Sequence, residues 1–220
     1  MFNKKIIIIL FLFPLYQSPL LSKSTSFEEI DSKNLSRYFS GIVAFENKQN
    51  SKALNYFNSS KILINLHDPY LEKFVMSLIL EGKVSQAINL IKANRKKSNS
   101  NFFEAYILLA LDSIKKDDIN KALEILAEVP ETLLKERLYY IIVNSLKEYA
   151  YVFKNKKISQ EIKNFGNLSF IAETFQRCYL GDNNTSSYFS KLINNSEKDY
   201  SRYIYFYLTH LIEIKKIDEA

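Results

Sequence analysis

Three times in succession, a polar turn leads into a small residue that opens an apolar-periodic segment. KQNSKALNYF does so at Ala53, GKVSQAINLI at Ala87 and KDDINKALEIL at Ala122. These alanines lie 34 and 35 residues apart, and KKIDEA brings Ala220 to the same place after another polar turn. A period of this size constrains the chain more than any other feature. Each unit can form two helices and a turn, but is too small to bury its own apolar face, so neighbours must stack.

The first unit shows the internal pattern. From Leu35, apolar residues recur at helical spacing, with Tyr38, Ile42 and Phe45 on one side and Gly41 and Ala44 on another. A polar break at Asn47–Ser51 follows, and a second segment carries Ala53, Leu54, Phe57 and Leu63. This predicts two helices of roughly 13 residues joined by a tight turn.

The pattern resembles the tetratricopeptide repeat. The family's small residue near the middle of the first helix is matched by Gly41 and Ala110. The one opening the second helix is matched by Ala53, Ala87, Ala122 and Ala220, and the large apolar residue four later by Phe57, Ile91 and Leu126. Gly82 matches the turn glycine and Pro130 the proline ending a second helix, while Tyr106 alone matches the family's first-helix aromatic. The resemblance implies an all-α fold, a tetratricopeptide-like α-α superhelix in which small residues permit close helix approach.

It covers residues 35–130 as three hairpins, and 168–220 more loosely as two further units, the last incomplete. Thr185, 35 residues before Ala220, is a weaker copy, with Phe189 four residues on. Residues 131–167 read as a degenerate repeat or a kinked connector: Leu133–Phe153 suits a long helix, whereas KNKKISQEIKNFGN makes a poor partner for it. Tyr200–Ile214 reads as an apolar first helix whose partner begins only at Ala220, which predicts a fragment or the truncated product of a longer gene, with a natural end as the alternative. The alternative functional readings are a membrane-anchored scaffold and a repeat portion whose active part lies beyond Ala220.

The N-terminus reads as an address. Lys4 and Lys5 precede the unbroken apolar run Ile6–Phe13, and Ser22 and Ser24 stand at the small-residue positions for cleavage after Ser24. That is the pattern of a secretory signal peptide over residues 1–24. Pro14 and Pro19 interrupt the segment well short of the 20 or so apolar residues of a spanning helix, leaving a retained anchor as the alternative. Residues 25–34 read as a polar lead-in. The expected location is the periplasm or cell envelope of a Gram-negative bacterium, with membrane contact only if the segment is retained.

Composition narrows the chemistry. Four glycines are too few for most phosphate-cradling loops, and one cysteine with two histidines supports neither a disulfide framework nor a structural zinc site. The net charge of +6 is carried by 25 lysines against 5 arginines. Lys4, Lys5 and Lys23 would leave with the signal peptide, and no continuous basic stripe remains, so nucleic acid is not an expected partner. Asp68 reads as the cap of a helix that Pro69 starts, and Glu28-Glu29 and Asp117-Asp118 suit helix starts or turns. His210 has one candidate carboxylate, Glu213, and Cys178 reads as an inert thiol buried among apolar neighbours.

The sequence therefore predicts a protein that is no enzyme, has no cofactor or metal, and binds another protein or peptide. If the family's geometry holds, its first helices line a concave groove with Leu35, Tyr38, Ile42 and Phe45, then Glu72, Met76 and Ile79, then Glu104, Ile107, Leu111 and Ile114. Such a groove is largely apolar and suits an amphipathic helix or an extended hydrophobic peptide.

Overall fold

The structure is a computed structural model, and it describes residues 31–160, 164–194 and 199–216. The N-terminal address, Glu28-Glu29 and Ala220 lie outside the described residues. Within them the chain is all-helical, with no strand. Eleven α-helices follow one another: α1 (Ser32–Glu46), α2 (Asn50–Asn58), α3 (Asp68–Leu80), α4 (Val84–Asn94), α5 (Phe103–Lys115), α6 (Ile119–Ala127), α7 (Glu131–Leu134), α8 (Arg137–Asn155), α9 (Asn167–Leu180), α10 (Thr185–Ile193) and α11 (Ile204–Glu213).

One turn recurs. After α1, α3, α5, α9 and α11 the residue in the left-handed conformation is Lys48, Gly82, Asp117, Gly181 and Lys215, with φ between +58° and +71°. The next residue's N–H reaches five positions back: Gln49 to Ala44 (2.9 Å), Lys83 to Leu78 (2.8 Å), Asp118 to Ser113 (2.9 Å), Asp182 to Arg177 (3.0 Å) and Lys216 to Leu211 (2.9 Å). This is a Schellman ending, which satisfies the helix's last carbonyls while reversing the chain. Only glycine holds the left-handed φ without a Cβ penalty.

The turn sets up the hairpins. α1 packs on α2, α3 on α4 and α5 on α6, while α2 also packs on α3 and α4 on α5. Ala53, Ala87 and Ala122 have no exposed surface, nor have Phe57 and Leu126, and Ile91 is 1% exposed. Burying each of these larger side chains contributes about 1.5–3 kcal/mol. Gly41 is the tightest point, since a Cβ there would stand 2.8 Å from Cε1 of Phe57. Phe57 in turn packs edge-on against Tyr70 at 5.8 Å between ring centres and lies 6.0 Å from Tyr38. The Tyr70 hydroxyl donates to the Phe57 carbonyl and lies 3.3 Å from Ser60 Oγ; burial raises its pKa to about 12.

Several expectations are corrected. The second helix of the first hairpin is nine residues rather than 13. It stops because the Ser59 and Ser60 hydroxyls both turn back onto the Tyr56 carbonyl (2.8 and 2.9 Å), and Leu63 reaches the core from a separate 3₁₀ turn, Lys61–Asn65. The polar lead-in already carries the start of α1 at Ser32, where Asp31 accepts from the Lys33 N–H at 3.1 Å; residues 25–30 lie outside the described residues. Asp68 sits inside the first turn of α3 and makes no cap hydrogen bond; His67 precedes the helix in extended conformation, and Asp68 acts through its charge at the positive helix end. Asp118 does cap, accepting from Lys121 N–H at 3.1 Å. The long helix expected after Pro130 forms as α8, but begins at Arg137 behind the single turn α7. Tyr200–Ile214 divides into a 3₁₀ turn, Ser201–Tyr203, and α11.

Two substitutions test this packing. Gly41→Ala gains helix propensity, but its methyl meets a ring enclosed on all sides. We expect a loss of about 1–2 kcal/mol, read from urea unfolding. Asp117→Gly removes a left-handed non-glycine residue from an exposed turn and is expected to stabilise by up to about 1 kcal/mol in the same assay.

Candidate functional site

The residues expected to line a groove occupy corresponding positions on α1, α3 and α5, and most remain partly open. Leu35, Ile42, Phe45, Ile79 and Ile107 are partly buried against the core. Glu72, Met76, Glu104 and Ile114 are also of intermediate exposure, and Leu111 is 44% exposed. Lys73 lays its ammonium 5.4 Å from the ring centre of Phe45. Tyr38 is the exception and a correction. At 5% exposure it belongs to the core, packed with Phe57 and Tyr70 and edge-on to the His67 ring at 4.8 Å. Its large ring fills the space above the short α2, so it does not face outward.

Sequence reasoning missed the contribution of α8. Ile142, Leu146 and Tyr149 stand 35 residues after Ile107, Leu111 and Ile114, and each is of intermediate exposure. The signal was the same period, hidden because no small residue follows at the expected place. α8 packs on both α5 and α6. Its Tyr139 stacks flat on Phe103, ring centres 3.8 Å apart. The Tyr139 phenol is pushed above its ordinary pKa, chiefly by the charge of Glu104 and, more weakly, by burial and the charges of Glu72 and Glu136. The strip therefore carries both signs of charge: Glu104 stands beside Tyr139, and Glu72 lies 4.0 Å from the Lys73 ammonium.

The repeat-packing positions stand as structural residues. Gly41, Ala53, Phe57, Ala87, Ile91, Ala110, Ala122 and Leu126 are all buried. Gly82 differs, being exposed with nothing within reach of a Cβ, and serves only the turn's φ of +71°.

A second cluster lies where α9, α10 and α11 meet. His210 on α11 is 8% exposed; its Nδ1 is 4.0 Å from Cys178 Sγ on α9 and its Nε2 3.3 Å from Ser186 Oγ on α10. This corrects one expectation: Cys178 is part-exposed, with a polar neighbour, rather than buried among apolar side chains. His210 feels the charge of Glu213, as its spacing suggested, and also meets Cys178 and Ser186 through its ring nitrogens. Burial pushes the thiol's pKa up, reinforced by the charge of Glu213, and pushes the imidazole's down. Both shifts oppose a thiolate–imidazolium pair, the reactive form of a cysteine nucleophile. The arrangement is a polar tie between three helices. Among the described residues no group of three or more His, Cys, Asp or Glu is placed to hold a metal ion.

No family model, curated protein or solved structure matches this chain.

The tie has a pH consequence. His210 binds its proton less readily folded than unfolded, so its stabilisation is complete above the unfolded pKa of about 6.5 and is lost as pH falls below it. The protection of α9–α11 amides, taken relative to the intrinsic exchange rate at each pH, is expected to fall between about pH 7.5 and about pH 5.5. The loss of protection should be blunted in His210→Gln, which cannot take up the proton.

Proposed function

We propose that this chain is a non-catalytic, tetratricopeptide-like α-solenoid that binds another protein and serves as an adaptor or assembly scaffold in the envelope of a Gram-negative bacterium. The observation that carries the reading is the strip of part-open apolar residues repeated at one position on α1, α3, α5 and α8: Ile42, Met76, Leu111 and Leu146. Soluble proteins leave large apolar side chains in a continuous row chiefly where something docks. An amphipathic helix laid along the strip would bury its own apolar face there. Glu104 favours a partner with a basic residue beside that face.

Support for a non-catalytic role comes from the Cys178–His210 pair, whose shifts run against nucleophilic use. The preponderance of lysine over arginine argues for a protein partner rather than nucleic acid. Export rests on the N-terminal sequence alone. No helix among the described residues is long and apolar enough to cross a membrane.

The test is site-specific photo-crosslinking in a Gram-negative host. A photoreactive residue at position 111 or 76 is expected to give a discrete adduct from the envelope fraction, and one at exposed Lys96 none. Leu111→Glu should abolish the adduct formed from position 76, and the adduct's chain should begin near Thr25. Equal labelling from Lys96, or adducts indifferent to Leu111→Glu, would remove the groove from consideration.

A further inference from the structure

A different surface, on the outer side of the first hairpin, carries a second interaction. A cleft of about 660 Å³ runs between α1 and α2, with Phe39 and Val43 each 60% exposed on its wall and Tyr56 40% exposed. The repeat itself indicates what kind of element fits there. A second cleft, of about 480 Å³, lies at the same place 69 residues later: Val43, Asn47, Lys52 and Tyr56 correspond to Asp112, Lys116, Lys121 and Ile125. That second cleft is closed along one side by α4, the second helix of the preceding hairpin. α4 supplies Lys92 to Asp112 at 2.6 Å, and Arg95 just beyond it pairs with Glu128. One repeat earlier, the corresponding face of α3 is largely under cover: Tyr70, Phe74 and Ser77 are at most 2% exposed, Lys73 and Glu81 stay part-open, and α2 packs against that helix. Twice in the chain, therefore, this face of a first helix is covered by a helix lying across it.

The charges define the occupant further. The acids that receive α4, Asp112 and Glu128, are replaced in the first hairpin by Val43 and Ser59. Among the described residues lining the first cleft, Lys52 is the one charged side chain, and none is a carboxylate. A basic helix like α4 would find no counter-charge there, whereas an acidic one meets Lys52 over an apolar floor.

We propose that this cleft docks an amphipathic helix of a partner protein whose apolar stripe is flanked by glutamate or aspartate, in the position that α4 occupies on α5. The site is separate from the α1–α3–α5–α8 strip and stands whether or not that strip binds anything.

The test uses the whole protein and two synthetic helices of about 16 residues, long enough to hold helical structure, with identical leucine stripes and either glutamate or lysine flanks. Calorimetric titration is expected to show the glutamate-flanked helix binding about fivefold more tightly than the lysine-flanked one, a preference that added salt weakens. Val43→Asp recreates the Asp112 position and should reverse the preference, while Leu111→Glu in the strip should change neither. Circular dichroism of Val43→Asp checks that the variant is folded, which an exposed site permits. Absence of binding, equal affinity for the two helices, or a preference unmoved by Val43→Asp overturns the proposal. So does a particle of twice the chain's mass in which Val43 is shielded, because a second copy would then be the occupant.

Discussion

Close approach of paired helices is the constraint on which the rest of the structure depends. In the first hairpin it reduces to one contact, the α1 backbone at Gly41 against the ring of Phe57, with no room for a methyl between them. The later pairs achieve the same with Ala110 and with Ala87 and Ala122, all fully buried. Interiors of this density tolerate neither voids nor extra atoms. The Schellman turn is the second half of the device, since it brings the chain back at the angle the small residues require. Four such turns lead into a described partner helix and a fifth ends α11, with three side chains accepting a left-handed conformation that would suit glycine better. The hairpin geometry is thus enforced strongly enough to hold local backbone strain at Lys48, Asp117 and Lys215.

The surfaces follow from that device. Paired helices bury one side of each first helix and leave another part-open, so Ile42, Met76, Leu111 and Leu146 stay accessible at one repeated position on α1, α3, α5 and α8. The outer face of α1 carries Phe39 and Val43, each 60% exposed. In the second and third hairpins a preceding helix covers it, and the polar or aromatic residues at those positions are chosen accordingly. Where no described helix precedes, Phe39 and Val43 face outward. The C-terminal unit is held differently. There His210 reaches from α11 to Cys178 and Ser186, a polar tie between three helices.

Much of the fold was legible. The alternation of turn, small residue and apolar residue four later located α2, α4 and α6 and their partners, because that pattern arises directly from the packing. Helix lengths were harder to read. Ser59 and Ser60 end α2 by competing for the backbone, a choice between local hydrogen bonds that apolar spacing does not register. Tyr38 was misplaced for a related reason: helical spacing put it in line with Ile42 and Phe45, but the space above a shortened α2 drew its ring into the core. In α8, Ile142, Leu146 and Tyr149 kept the period without the small residue that marked it elsewhere.

The sequence by itself determined the helical class, the paired helices, the turns and the buried small residues, since each depends on residues within about 35 positions of one another. Only the tertiary structure decided which apolar side chains stay open, that α8 extends the strip, and that Cys178, Ser186 and His210 come together. Those outcomes depend on how much volume neighbouring helices leave at each position. That is a sum over elements distant in the chain, which no local spacing records.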